Sequence, residues 1–206
     1  MNGVIALKLD SRHCIFSISR FIKFPFFYKF IKTQKNSIHD TIGIVKGELM
    51  KIDLVYLWVD DNDKEWKAKK DAFLDTPLDK EAADNCRFKN SDELKYALRS
   101  VEKYANFINR IFIVTDNQTP NWLDTNNAKI KIIDHSDIIP QDKLPVFNSC
   151  VIENCVPLIP ELSENFLLAN DDTFFWNTVD EEFFFTDEKP ICRMNAKIKN
   201  KTYKHL

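Results

Sequence analysis

The apolar run Phe166-Leu167-Leu168-Ala169 stops at Asn170-Asp171-Asp172, where a buried strand would deliver two carboxylates into a cleft. Adjacent carboxylates repel and raise each other's pKa unless a cation neutralises them. The pair is therefore either a seat for Mg²⁺ or Mn²⁺ or a solvated Asx turn. The same arrangement recurs. Ile52 to Val59 ends at Asp60-Asp61-Asn62-Asp63, Ile111 to Thr115 ends at Asp116, and Ile130 to Ile133 ends at Asp134-His135. Acids at the carboxyl ends of neighbouring strands would line one crevice, the place where open α/β sheets bind ligands.

These elements predict an α/β fold, a mostly parallel sheet flanked by helices. The spacing of Leu94, Ala97, Leu98, Val101, Ala105 and Ile108 predicts a helix buried along that stripe, with Asn90 capping it and Glu93 three residues on. A second helix is predicted from Asn148 or Ser149, burying Ile152, Cys155 and Val156 before Pro157 and Pro160 end it. Residues 68–87 read as a polar surface connection, and the stretch after Asp172 as irregular structure or edge strands.

The chain of 206 residues divides into a basic, aromatic extension, 1–49, and a core, 50–206. In the extension, Arg20, Lys23, Lys29 and Lys32 are scattered among six phenylalanines. Charges and Pro25 break it well short of ~18 uninterrupted apolar residues, which excludes a spanning helix. No small-residue cleavage site follows. Peripheral contact with an anionic membrane and a helical arm packed on the core are the two readings, and Met50 is an alternative start.

A net charge of −2 with interspersed signs gives no basic stripe for nucleic acid. Three glycines form neither a dinucleotide nor a P-loop fingerprint. Five cysteines without a C-x-x-C pair suit a reducing, cytoplasmic setting. Cys150 and Cys155 read as packing residues and not as a zinc site, because no second Cys or His pair accompanies them.

In order, the segments IDLVYLWVDDND (52–63), RFKNSDELKYALRSVEKYA (87–105), IFIVTDNQTPNWL (111–123), IKIIDHSDIIP (130–140), LPVFNSCVIE (144–153) and LSENFLLANDD (162–172) resemble the Stealth family. That family includes bacterial capsular polysaccharide phosphotransferases and the animal enzyme that adds N-acetylglucosamine-1-phosphate to lysosomal glycoproteins. The resemblance implies a GT-A-like core and a divalent cation. It also implies transfer of a sugar-1-phosphate from a nucleotide-sugar donor to a glycan acceptor. The cysteine usage places the protein in the cytoplasm, and the membrane reading of the 1–49 extension would put it at the inner face of the membrane. The family continues into third and fourth regions, the later part carrying a histidine implicated in catalysis. A chain ending at Leu206 is then expected to be a fragment, to depend on another chain, or to be inactive.

Phosphoryl transfer requires positioned oxygens, a neutralised pyrophosphate and an in-line nucleophile. Asp171 and Asp172, with Asn170 beside them, are the expected cation ligands, the cation acting as Lewis acid and template. Asp60 and Asp63 are placed to accept from ribose hydroxyls, or else belong to a solvated loop. Arg87 and Arg99 are candidates to clamp phosphate, with an ion pair as the alternative for Arg99. His135 is a candidate base or a ligand-orienting group. Asp116 and Glu153 are further acids of the expected crevice. Asn148 opens a helix that either holds an anion or is merely capped. A glycosyltransferase cleaving the C1–oxygen bond, and a non-catalytic remnant or glycan-binding module, are the competing functions.

Overall fold

A computed structural model of the protein describes residues 5–8, 50–74, 88 and 90–191. The elements in chain order are β1 (Ile5–Lys8), β2 (Ile52–Leu57), α1 (Lys64–Leu74), α2 (Glu93–Tyr104), β3 (Ile108–Thr115), β4 (Ile130–Asp134), α3 (His135–Ile138), α4 (Ser149–Cys155), β5 (Asn165–Asn170), β6 (Phe185–Thr186) and β7 (Lys189–Pro190). Five strands form one sheet in the order β1-β5-β2-β3-β4. β2 runs parallel to β3 and β5, and β3 parallel to β4, while β1 closes the edge antiparallel to β5.

The predicted α/β architecture is thus present, and the register explains how it serves a site. Leu57 lies opposite both Val114 and Asn170, and Thr115 opposite Asp134. All four parallel strands therefore end along one edge. The extension contributes the edge strand β1; the other residues of 1–49 lie outside the described ones.

Strands covered on both faces need apolar side chains in both directions, which is why β2 and β5 read as continuous apolar runs. Leu54, Tyr56, Ile111, Ile113 and Leu167 face α2 and pack with Leu94, Ala97 and Val101. The alternate residues Val55, Phe112, Val114, Phe166 and Leu168 face α3 and α4, meeting Ile138, Ile152 and Cys155. The stripe predicted for α2 is core, but it outruns the helix: Ala105 follows α2 and Ile108 already belongs to β3. The cap differs too. Asp92, in the left-handed region at φ 66°, occupies the cap position, while Asn90 Oδ1 accepts from Asp92 N–H at 3.1 Å.

Residues 68–74 are not a surface connection but the second half of α1. Their charge hides a burial signal of one turn: Trp66 and Lys70, four apart, are both buried. Trp66 meets Phe88 and Phe147 at ring-centroid distances of 5.4 and 5.7 Å. The Lys70 ammonium sits 4.9 Å from the Phe88 ring centroid, its aliphatic stem filling the interior.

At the opposite, amino edge of the sheet one carboxylate is wholly buried and fully engaged. Asp53 accepts from Asn109 Nδ2 (2.7 Å), Arg110 N–H (3.1 Å), Arg110 Nη2 (3.3 Å) and Ser163 N–H (2.8 Å). It ties β2, β3 and the turn before β5 together, as a buried charge must be if its desolvation is to be offset. After β5 the chain turns over α2. Phe175 N–H donates to Ser100 Oγ at 3.0 Å, Phe184 and Phe185 complete the α2 core, and β6 and β7 form a short hairpin.

Candidate functional site

At the carboxyl edge a cleft of about 640 Å³ opens between the loop after β2, the entry to α2 and the loop after β3. Asp60 and Asp63 line it, as expected, together with Asp92, Asn117, Gln118 and Trp122. The lining combines carboxylates, amides and hydroxyls with the apolar surfaces of Trp58, Pro120 and Trp122. No Lys, Arg or His belongs to it among the described residues, and Lys95 sets its ammonium 5.8 Å from the Trp122 ring centroid. Such a surface suits a ligand rich in hydroxyls and amides. A bare diphosphate would need a cation there.

The loops are fixed by side chains reaching between them. Gln118, itself buried, accepts from Asp60 N–H at 2.8 Å and donates through Nε2 to Asp60 O at 2.9 Å and to Asp63 Oδ2 at 3.2 Å. Asp61 Oδ1 accepts from Asn90 N–H at 3.3 Å, linking the same loop to α2. Asn117, with φ 56°, turns the chain after β3 in a left-handed conformation that Asn tolerates better than most residues. Its N–H donates to Asp134 Oδ2.

Asp60 and Asp63 are not equivalent. Asp63 Oδ1 accepts from Glu65 N–H (2.9 Å) and Trp66 N–H (3.2 Å) as the cap of α1, and Oδ2 is taken by Gln118. Hydrogen bonds from Trp66 and Gln118 hold its carboxyl below the usual range. Asp60 Oδ1 accepts from Asn62 backbone and side chain at 3.0 and 2.8 Å, and no described donor reaches its Oδ2. Trp58 lines the cleft and is 95% buried, with an indole N–H that no described group accepts.

The Asn170-Asp171-Asp172 segment is a turn, closed by Thr173 N–H to Asn170 O at 3.0 Å. Turn and cation seat are compatible. Burial, then the charges of Asp172 and Glu93, push the Asp171 carboxyl up to about 6. Burial and the charge of Asp171 raise the Tyr56 hydroxyl as well. Glu93 in turn accepts from Ser91 N–H, in the cleft wall, at 2.6 Å. Hard oxygen donors with unbalanced negative charge fit Mg²⁺ or Mn²⁺. Mg²⁺ in particular is commonly held by one or two carboxylates and substrate phosphates. No cluster of three metal-ligating side chains occurs among the described residues, so such an ion would draw on substrate and backbone oxygens too.

The remaining expected site residues fall elsewhere. Asp116 is not in the cleft wall. It lies buried on the α3 side of the sheet, where Oδ1 accepts from Lys69 Nζ at 2.5 Å and stands 4.0 Å from His135 Nδ1. The residue alternation that sends Val114 to that face sends Asp116 with it. His135, the first residue of α3, is also buried there, and burial lowers its pKa despite Asp116 and Asp134. Although burial raises it, the Asp134 carboxyl is lowered by hydrogen bonds from Ser136 and Asn117. Glu153 is half-buried on α4 with its carboxyl raised by burial. Asn148 Oδ1 accepts from Cys150 N–H at 3.0 Å, an ordinary cap on a short helix. Arg99 is exposed, with its guanidinium carbon 5.7 Å from the Tyr96 ring centroid, and is not in the cleft wall. Arg87 lies outside the described residues. Cys155 is buried, in keeping with packing, whereas Cys150 is exposed.

A parallel sheet with helices on both faces, and a carboxylate-lined cleft where its strands end, defines an α/β protein with a GT-A-like core. Residues 50–76 match the family description "Stealth protein CR1, conserved region 1" and residues 87–192 match "Stealth protein CR2, conserved region 2". The chain belongs to the Stealth family. It is 45% identical over 136 residues to the capsular polysaccharide phosphotransferase fcs1 of Haemophilus influenzae, covering 65% of this chain and 37% of that one. With cps1A of Actinobacillus pleuropneumoniae, of the same description, identity is 43% over 156 residues, covering 74% and 40%. With the exopolysaccharide phosphotransferase cps2G of Lactiplantibacillus plantarum it is 39% over 158 residues, covering 75% and 46%. The chain thus spans less than half the length of these relatives. Among the described residues, no helix is long and apolar enough to cross a membrane.

Proposed function

We propose that this protein transfers a sugar-1-phosphate from a nucleotide-activated sugar to a hydroxyl of a capsular or exopolysaccharide glycan, building a phosphodiester-linked polymer on the cytoplasmic side of the membrane. The observation that supports the reading is that β2 and β5 end in register, so that the Asp171-Asp172 turn follows β5 at the same sheet edge as the cleft lined by Asp60 and Asp63, although the turn itself is not part of the cleft wall. Its relatives are phosphotransferases of capsular and exopolysaccharides by name. The cleft receives the hydroxyl-rich nucleoside end of the donor, where Asp60 Oδ2 accepts from ribose and the Trp58 indole is the unengaged donor. The diphosphate extends toward Asn170, Asp171 and Asp172.

Asp171 and Asp172 would hold Mg²⁺ or Mn²⁺, which would supply neutralisation of the diphosphate charge and Lewis-acid polarisation of its phosphorus. The protein's own part is orientation. It holds Asp60 and Asp63 at fixed distances, keeps Asp171 in a setting that favours a cation, and closes the cleft floor with Trp58 and Trp122.

Released nucleotide tests the reading. Incubated with donor, acceptor glycan and Mg²⁺, the protein should yield nucleoside monophosphate, and Asp172→Ala should abolish the yield. Nucleoside diphosphate would identify glycosyl transfer instead. Donor binding without turnover by either protein would identify a non-catalytic module.

A further inference from the structure

We infer that Gln118 is a positioning residue for donor binding: its side-chain amide latches the loop after β2 to the loop after β3 and so sets the shape of the cleft. The inference rests on the reading of the cleft as the donor site.

The loops that carry Asp60 and Asn117 leave neighbouring parallel strands, and among the described residues no backbone hydrogen bond joins them beyond Trp58 N–H to Val114 O at 2.9 Å. Gln118 supplies what the sheet no longer can. Its amide offers one acceptor and two donors, and its three partners all lie on the facing loop: Asp60 N–H, Asp60 O and Asp63 Oδ2. The first two bonds form a closed pair with the N–H and C=O of a single residue, imitating one more rung of a β-ladder. The third reaches the carboxylate that caps α1, so helix, loop and latch are fixed together.

Gln118 is 7% exposed. In that setting each hydrogen bond is costly to lose, because a stranded amide or carbonyl keeps its desolvation cost. No other residue type meets these demands. Asn is one methylene short, Glu cannot donate while ionised, and Lys or Arg cannot accept.

The experiment compares wild type, Gln118→Ala and Gln118→Glu by amide hydrogen exchange and by binding to UDP-, GDP- and CDP-hexoses with Mg²⁺, across a pH series. In Gln118→Ala the Asp60 amide should exchange faster and donor affinity fall about tenfold. In Gln118→Glu the ionised carboxylate faces Asp63, so affinity at neutral pH should fall below that of Gln118→Ala. It should rise above it as the new carboxyl protonates, because the acid form both donates and accepts. A residue needed only for stability would give no such crossing. Unchanged Asp60 exchange in Gln118→Ala, or faster exchange with undiminished affinity, overturns the latch. If wild type binds none of the probes, the donor reading fails first and takes the positioning role with it. The exchange data then still report whether the loops are joined.

Discussion

Replacing Asp171 by Asn should make the protein more stable and less active, and the sign follows from the site. The folded carboxyl titrates at about 6 against an ordinary 3.8, chiefly because it is buried and secondly because Asp172 and Glu93 are near. A group whose folded pKa is raised contributes stability below its unfolded pKa and loses it as pH rises through the folded value. The wild-type protein should therefore weaken between pH 3.8 and about 6 on this account and stay weakened above. A shift of two units corresponds to about 3 kcal/mol. Asn avoids the charge but still buries an amide, so a gain of about 1 to 2 kcal/mol at pH 7 is the expected net. Urea unfolding of wild type and Asp171→Asn across the pH range would read it, with and without Mg²⁺. The cation should stabilise wild type alone, by lowering the cost of the ionised carboxylate. If Asp171→Asn is less stable at pH 7, or if the difference between the two proteins does not depend on pH, the electrostatic account of this turn is wrong.

Three further outcomes follow from other contacts. Asp53→Ala strands Asn109 Nδ2 and the backbone N–H groups of Arg110 and Ser163, leaves the Arg110 guanidinium with Glu161 alone, and should cost about 3–5 kcal/mol in denaturant unfolding. His135, kept neutral by burial beside Asp116, Asp134 and Lys69, has a pKa below its ordinary 6.5. Stability should fall as pH drops below that value, a component absent from His135→Gln, and unfolding midpoints at pH 7 and about pH 5 would reveal it. Asp63→Ala should lose both a helix cap worth about 1 kcal/mol and donor affinity, whereas Asp63→Ser should regain the cap, seen as recovered melting temperature, without regaining affinity.

Strands β2, β3 and β4 were legible as runs rich in β-branched and aromatic residues and β5 as an apolar run stopping at Asn170, and their acidic ends pointed to one edge of the sheet. What was left unread was which face a residue takes after its strand ends. Asp60 and Asp116 look alike in sequence, yet one enters the cleft and the other pairs with Lys69 behind the sheet. Counting in twos from Val114 would have placed Asp116 correctly. The second half of α1 was hidden because its buried residue is Lys70, and a Lys reads as surface until aromatic rings surround its stem. Gln118 gave no signal at all. A latch is defined by partners 55 to 58 residues away, which local patterning does not contain.

The buried Asp53 bears on how the chain comes together during synthesis. Its partners lie at 109, 110 and 163, so the last of them leaves the ribosome some 110 residues after Asp53 itself. Until then water takes the place of that donor at the carboxylate, and β5, which lies between β1 and β2 in the sheet, has still to follow. A nascent chain that has not reached residue 170 should therefore hold β2 and β3 less firmly and stay more open to chaperones and proteases.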